Sequence, residues 1–95
     1  MSYVIRVNRE LRYPDNIRDY MTQKLRRLNI KAELTDVDWD MIISFLPDRF
    51  RPVVELRFKE GMEMADVAST LNIKLEYAYA RFRDAMHMIM ILALK

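Results

Sequence analysis

The sequence predicts an all-α fold: a bundle of about five helices containing a helix-turn-helix, preceded by a short extended arm or strand. Three observations predict it. One Gly and three Pro in 95 residues are too few turn formers for the many short strands of an all-β domain. Apolar residues recur at spacings of three and four along most of the chain, which is the period of helix faces. Only "YVIRV", Tyr3 to Val7, alternates and is rich in branched residues, and a lone strand has no stable partner.

The length fits one domain. At 52% hydrophobic and 32% charged residues, the chain is built to fold rather than to stay disordered. Residues 1–13 read as a basic extended arm or short strand. Residues 14–95 read as a single helical domain, with the helix-turn-helix over 47–85 and an apolar C-terminal helix extension.

Pro14 opens the first helix, with Asp15 and Asp19 near its positive end. Ile17, Tyr20, Met21, Leu25 and Leu28 form one apolar stripe, and Asn29 is a left-handed stop. Thr35 is the expected cap of the next helix, with Asp36 and Asp38 in its first turn. Its residues Val37, Trp39, Met41, Ile42, Phe45 and Leu46 leave little polar face, so the helix should be largely buried. Pro47 starts a third segment that continues helically through Phe50, Val53, Val54, Leu56, Arg57 and Phe58 to Glu60. Gly61 falls where a helix ends at positive φ. A short helix follows over about Met64 to Leu71, and a long one over about Leu75 to Leu94.

The junction between these last two is the informative one. Val67, Ala68 and Leu71 share a face of the short helix, and Ala68 permits close approach. Asn72 suits a positive-φ corner, and Ile73 plugs it. Ala78, Phe82 and Ala85, spaced four and three, line the inner face of the long helix. Two helices joined in this way make a helix-turn-helix whose second helix exposes its outer face.

The longer string "LPDRFRPVVELRFKEGMEMADVASTLNIKLEYAYARFRDA", Leu46 to Ala85, resembles the C-terminal promoter-recognition region, the fourth region, of bacterial sigma factors. The matching residues are Leu46, Pro47, Arg49, Arg51, Val54, Leu56, Arg57, Glu60, Gly61, Asp66, Val67, Ala68, Leu71, Ile73, Arg81 and Ala85. The chain departs from the family pattern at Glu63, where Ser or Thr is usual, and at Asn72, where Gly is usual. Tyr77, Ala78 and Tyr79 replace Thr-Val-Lys, and Asp84 and Met86 stand where Arg is common. The resemblance implies a detached promoter-recognition module that binds double-stranded DNA and acts with RNA polymerase. The second reading is an interaction module that grips polymerase or a sigma fragment without reading DNA.

On the DNA reading, the candidate contacts of the second helix are Lys74, Glu76, Tyr77, Ala80, Arg81 and Arg83. Arginines suit phosphate or guanine, Glu76 suits cytosine, and Tyr77 suits phosphate or a thymine methyl. The resemblance adds Arg49, Arg51 and Arg57 near the DNA backbone; for these, salt bridges to Glu55 or Glu60 are the alternative. Arg6, Arg9 and Arg12 of the arm are further candidates for phosphate or minor-groove contact.

Charge is unevenly distributed. Residues 1–31 hold eight basic and three acidic side chains, net +5, and residues 32–48 hold five acidic and no basic ones, net −5. The two blocks fit either nucleic-acid contact by one face or attraction for each other.

The tail "AMHMIMILALK" is apolar all round. Spacing puts Met86, Ile89 and Ala93 inward. Met86, Met88, Met90, Ile91 and Leu94 form the candidate oligomer or partner surface, and a homodimer is expected through this helix or the N-terminal arm. The longest apolar run, Met88 to Leu94, is seven residues, far short of the roughly 20 that span a bilayer. No membrane partner is expected. The lack of Cys fits a reducing interior. The opening "MSYVIRVNRE" has no signal-peptide core. A cytoplasmic protein is therefore expected. His87 is the only histidine, and Asp36, Asp38 and Asp40 splay around a helix at spacing two. No metal, cofactor or catalytic set is expected, and hence no enzyme.

Overall fold

Helix α1, Asp15–Arg27, forms because Ile17, Met21 and Leu25 repeat at four and bury one stripe. Its end is a Schellman turn. Ile30 N–H donates to Leu25 O at 2.9 Å and Asn29 N–H to Arg26 O at 3.1 Å, with Asn29 at φ 61°. That is the expected asparagine stop. The stripe ends one turn early, because Leu28 is 53% exposed.

The computed structural model describes residues 13, 15–32, 34 and 36–94. The extended arm, its Arg6, Arg9 and Arg12, the Tyr3–Val7 strand, Pro14 and the Thr35 cap lie outside them. Among the described residues the fold is all-α, with five helices. The others are α2 Trp39–Ser44, α3 Arg51–Val54, α4 Met64–Leu71 and α5 Leu75–Ala93. None of them is long and apolar enough to cross a membrane.

Helix α2 starts later than the acidic run predicts. Asp38, not a residue of the first turn, is its N-cap and accepts from Met41 N–H at 3.1 Å. Trp39, Ile42, Ile43 and Leu46 face the core, but Met41 and Phe45 are 51% and 65% exposed. The expectation of a largely buried helix fails on that face. With only six residues, α2 can turn only one stripe to the core. The Trp39 indole N–H is buried without a partner among the described residues.

Helix α3 passes into a π-helical turn, Glu55–Lys59. Glu60 N–H reaches back five residues to Glu55 O, and Met62 N–H reaches six to Leu56 O. The extra residue shifts the register, and Gly61 absorbs the reversal at φ 71°. Phe58 is thereby buried against Tyr20 of α1 and Phe82 of α5, with ring centroids 5.7 and 5.9 Å away. Tyr20 and Phe82 meet edge-on at 5.5 Å.

Two cores result. The main core gathers Ile17, Met21, Leu25, Trp39, Ile43 and Leu46 around Ala85, Met86 and Ile89 of α5. A smaller one joins Val53, Met64, Val67, Ala68 and Ala78. Phe82 packs against both. A polar tie closes the α1 end: Tyr13 Oη donates to Asp40 Oδ1 at 2.8 Å, and Lys59 Nζ lies 3.3 Å from the same oxygen.

The tie makes stability depend on pH. The Tyr13 hydrogen bond, then Lys59, holds the Asp40 carboxyl below its ordinary value. Its contribution is present above the unfolded-state value and is lost as pH falls through the lower folded one. Burial, then Asp40, pushes the Tyr13 hydroxyl up. That contribution is full below the ordinary tyrosine value and is lost as pH rises through the raised one. The melting-temperature gap between wild type and Tyr13→Phe should therefore be widest near neutrality and narrow in acid; a pH-independent gap would contradict the tie. At the second left-handed site, Asn72→Gly should be tolerated within a few tenths of a kcal/mol. Asn72→Val should cost about 1–2 kcal/mol in urea unfolding, because φ there is 57°. Equal cost for the two would show that the corner relaxes.

Candidate functional site

The α4–α5 corner is built from a second Schellman turn. Ile73 N–H donates to Ala68 O at 3.0 Å and Asn72 N–H to Ser69 O at 3.1 Å. Asn72 sits at φ 57°, ψ 46°, and Ile73 packs on the small core. The Asn72 and Ile73 roles read from the sequence are the ones seen. Ala68 and Ala78 are 4% and 0% exposed and both belong to the small core, so little side-chain bulk stands between the two helices there. Lys74, extended at φ −68°, ψ 149°, begins α5, and its carbonyl accepts from Tyr77 and Ala78 N–H at 3.0 Å.

Beyond the corner, α5 has two unlike lengths. Ala78, Ala85, Met86 and Ile89 are buried, while Leu75, Tyr77 and Tyr79 of the leading half are 45%, 52% and 53% exposed. Lys74, Glu76 and Arg83 are exposed, and Ala80 and Arg81 are half-buried. The ammonium of Lys74 stands 6.0 Å from the Tyr77 ring centroid. Arg83 lies 3.5 Å from its neighbour Asp84, which offsets part of its charge. Arg81 has no carboxylate within ion-pair distance among the described residues. It is the least committed cation on the helix.

The three arginines before the corner behave differently from one another. Arg49 is exposed, with its guanidinium 4.8 Å from the Phe50 ring centroid. Arg51 is half-buried and strapped down: it donates to Leu46 O at 2.9 Å and to Asp48 at 2.8 Å. Arg57 donates to Met62 O at 3.2 Å and lies over Phe58 at 5.8 Å. Neither pairs with Glu55 or Glu60, because their reach is spent on carbonyls exposed by the irregular turns around them. Arg51 and Arg57 hold the scaffold, so as placed they are not free phosphate contacts.

No protein family, curated protein or solved structure matches this chain.

The tail corrects another expectation. Met86 is 2% exposed and belongs to the main core, and Met90 packs partly against that core. Its position on the inner side of α5 removes Met86 from any partner surface. Met88, Ile91 and Leu94 remain 36%, 51% and 41% exposed. His87 is exposed. Sequence reasoning missed the Asp38 cap and the outward Met41 and Phe45. The 38, 41, 45 spacing was the available signal, since it repeats at three and four independently of the buried set.

Close packing at the corner yields a direct check. Ala78→Leu adds bulk where two helix backbones approach and should cost about 1–3 kcal/mol in urea unfolding. Tyr77→Ala, on the open side, should stay within about 0.5 kcal/mol. If Ala78→Leu is equally silent, the two helices do not meet as described.

Proposed function

We propose that this chain is a DNA-binding transcription regulator, a detached sigma-like promoter-recognition module that works with RNA polymerase in the cytoplasm. The reading rests on one observation: the Asn72 corner seats the inner face of α5 through Ala78 while leaving Lys74, Leu75, Glu76, Tyr77 and Tyr79 in solvent. A helix held at its rear and open at its front is what major-groove insertion needs. Arg81 is the proposed phosphate or guanine contact, with Lys74, Arg83 and Arg49 as further cations and Tyr77 and Glu76 as base-edge or phosphate partners. The proposed role is binding rather than catalysis.

A second reading has its own support. Leu75 and Tyr79 put apolar area on one side of the leading turns and Tyr77 on the other, and Glu76 and Asp84 dilute the charge there. Aromatic residues with few net charges suit a protein partner. On that reading the same end of α5 grips polymerase or a sigma fragment.

A duplex-DNA titration at several salt concentrations separates the two. DNA reading predicts a log–log slope of about −0.9 per phosphate contact, and Arg81→Glu should weaken binding about ten-fold or more. Salt-insensitive binding, or an Arg81→Glu variant that binds like the parent, would remove α5 as the reader. Polymerase co-purification that survives Arg81→Glu would favour the second reading.

A further inference from the structure

Away from the corner and from the exposed side of the α5 tail, two uncovered patches face solvent. The first is the end of α1. Its Schellman turn projects Arg26, Arg27, Leu28, Ile30 and Lys31, all exposed, and Leu28 and Ile30 are apolar. A groove of about 740 Å³ runs beside them, with Leu25 and Leu34 in its floor and Arg18, Arg26, Ile30 and Lys31 in its walls. Arg18 is paired to Asp15, but among the described residues no carboxylate is within ion-pair distance of Arg26 or Lys31.

The second patch is the outer face of α2. Asp38, Met41 and Phe45 are spaced three and four, which puts them on one helix face. Phe45, at 65%, has the highest exposure of the large apolar side chains described. Asp36 is exposed, whereas Asp48, though its side chain is 94% exposed, already accepts from Arg51 at 2.8 Å. Asp40 is engaged elsewhere, by Tyr13 and Lys59.

The chemistry of one patch answers that of the other. A phosphate backbone would use the cations but would have no use for Leu28, Ile30 and an apolar floor. An aromatic knob flanked by carboxylates uses all of them, and this chain carries one. Lys31 and Asp36 are five positions apart, so at most about 18 Å of chain separates the patches. Adjacent, complementary patches favour a reciprocal two-fold contact, in which each copy gives what it receives, over an open head-to-tail chain. We propose that two copies of this chain pair through these patches, each laying its Asp38–Met41–Phe45 face into the other's Arg26–Lys31 groove. Both exposed apolar patches are covered by the one interface, which is separate from the α5 tail.

Light scattering on DNA-free protein through a dilution series tests this. The wild type should be a dimer that weakens at high salt. Phe45→Ser should raise the dissociation constant roughly thirty-fold or more, and Ile91→Ser should leave it unchanged. Two charge variants give the decisive arm: Arg26→Glu with Lys31→Glu, and Asp36→Lys with Met41→Lys. Each alone should be monomeric and helical by circular dichroism, because like charges then face each other. Mixed, they should form a heterodimer, since every groove regains an opposite-charge face. The proposal is overturned by a wild type that stays monomeric or by a mixture that stays monomeric. It is equally overturned by a dimer that Ile91→Ser breaks and Phe45→Ser does not. Salt-dependent DNA binding by a monomer that needs Arg26 and Lys31 would instead make the groove a phosphate contact, and would also overturn it.

Discussion

The positive φ of Asn72 lets the chain leave α4 and start α5 within three residues. Two capping hydrogen bonds secure the turn, to Ala68 and Ser69 carbonyls, and Ile73 closes it from below. An L-residue with a larger side chain pays a steric penalty in this conformation, whereas asparagine is tolerant of it. Everything downstream depends on that direction. If the chain ran straight on, Ala78 could not sit against Ala68, and Phe82 could not join the two cores. The aromatic contact of Phe82 with Tyr20 and Phe58 then fixes α5 against both α1 and the π-helical turn.

The consequence is a helix with two chemically different halves. The trailing half supplies Ala85, Met86 and Ile89 to the main core, so it cannot swing without exposing that core. The leading half has only Ala78 buried among its first five residues, so its surface is available while its backbone is held. Rigid presentation of an open surface serves recognition of DNA and of protein equally well, and the surface chemistry has to choose between them. Here the choice is finely balanced, with Lys74, Arg81 and Arg83 set against Glu76, Asp84 and three exposed apolar side chains.

Much of the fold was legible in the sequence. Asn29, Gly61 and Asn72 were read as left-handed stops, and all three have positive φ, because few residues accept that conformation and the cue is local. The bounds of α4 and α5 followed from these stops. What was not legible depended on neighbours distant in sequence. The composition around residues 36–46 is apolar enough for a buried helix, yet only one stripe of α2 finds a partner, leaving Met41 and Phe45 outside. Arg51 and Arg57 read either as phosphate contacts or as partners of Glu55 and Glu60, but Leu46 O after α2 captures the first and Met62 O after the π-helical turn the second. Spacing already turns Met86 inward, and its full burial in the main core is what removes it from the partner surface of the apolar tail. The site was half visible: the corner could be placed by residue, while the state of each cation on it could not.

The leading end of α5, held by the Asn72 corner, is the surface we propose meets DNA. Backbone-amide NMR during titration with duplex DNA tests it most directly, because every residue reports separately. The account predicts shifts and broadening concentrated at residues 72–83, with the trailing half of α5 and the outer face of α2 undisturbed. Perturbations centred on residues 26–31, or none at all at saturating DNA, would contradict it.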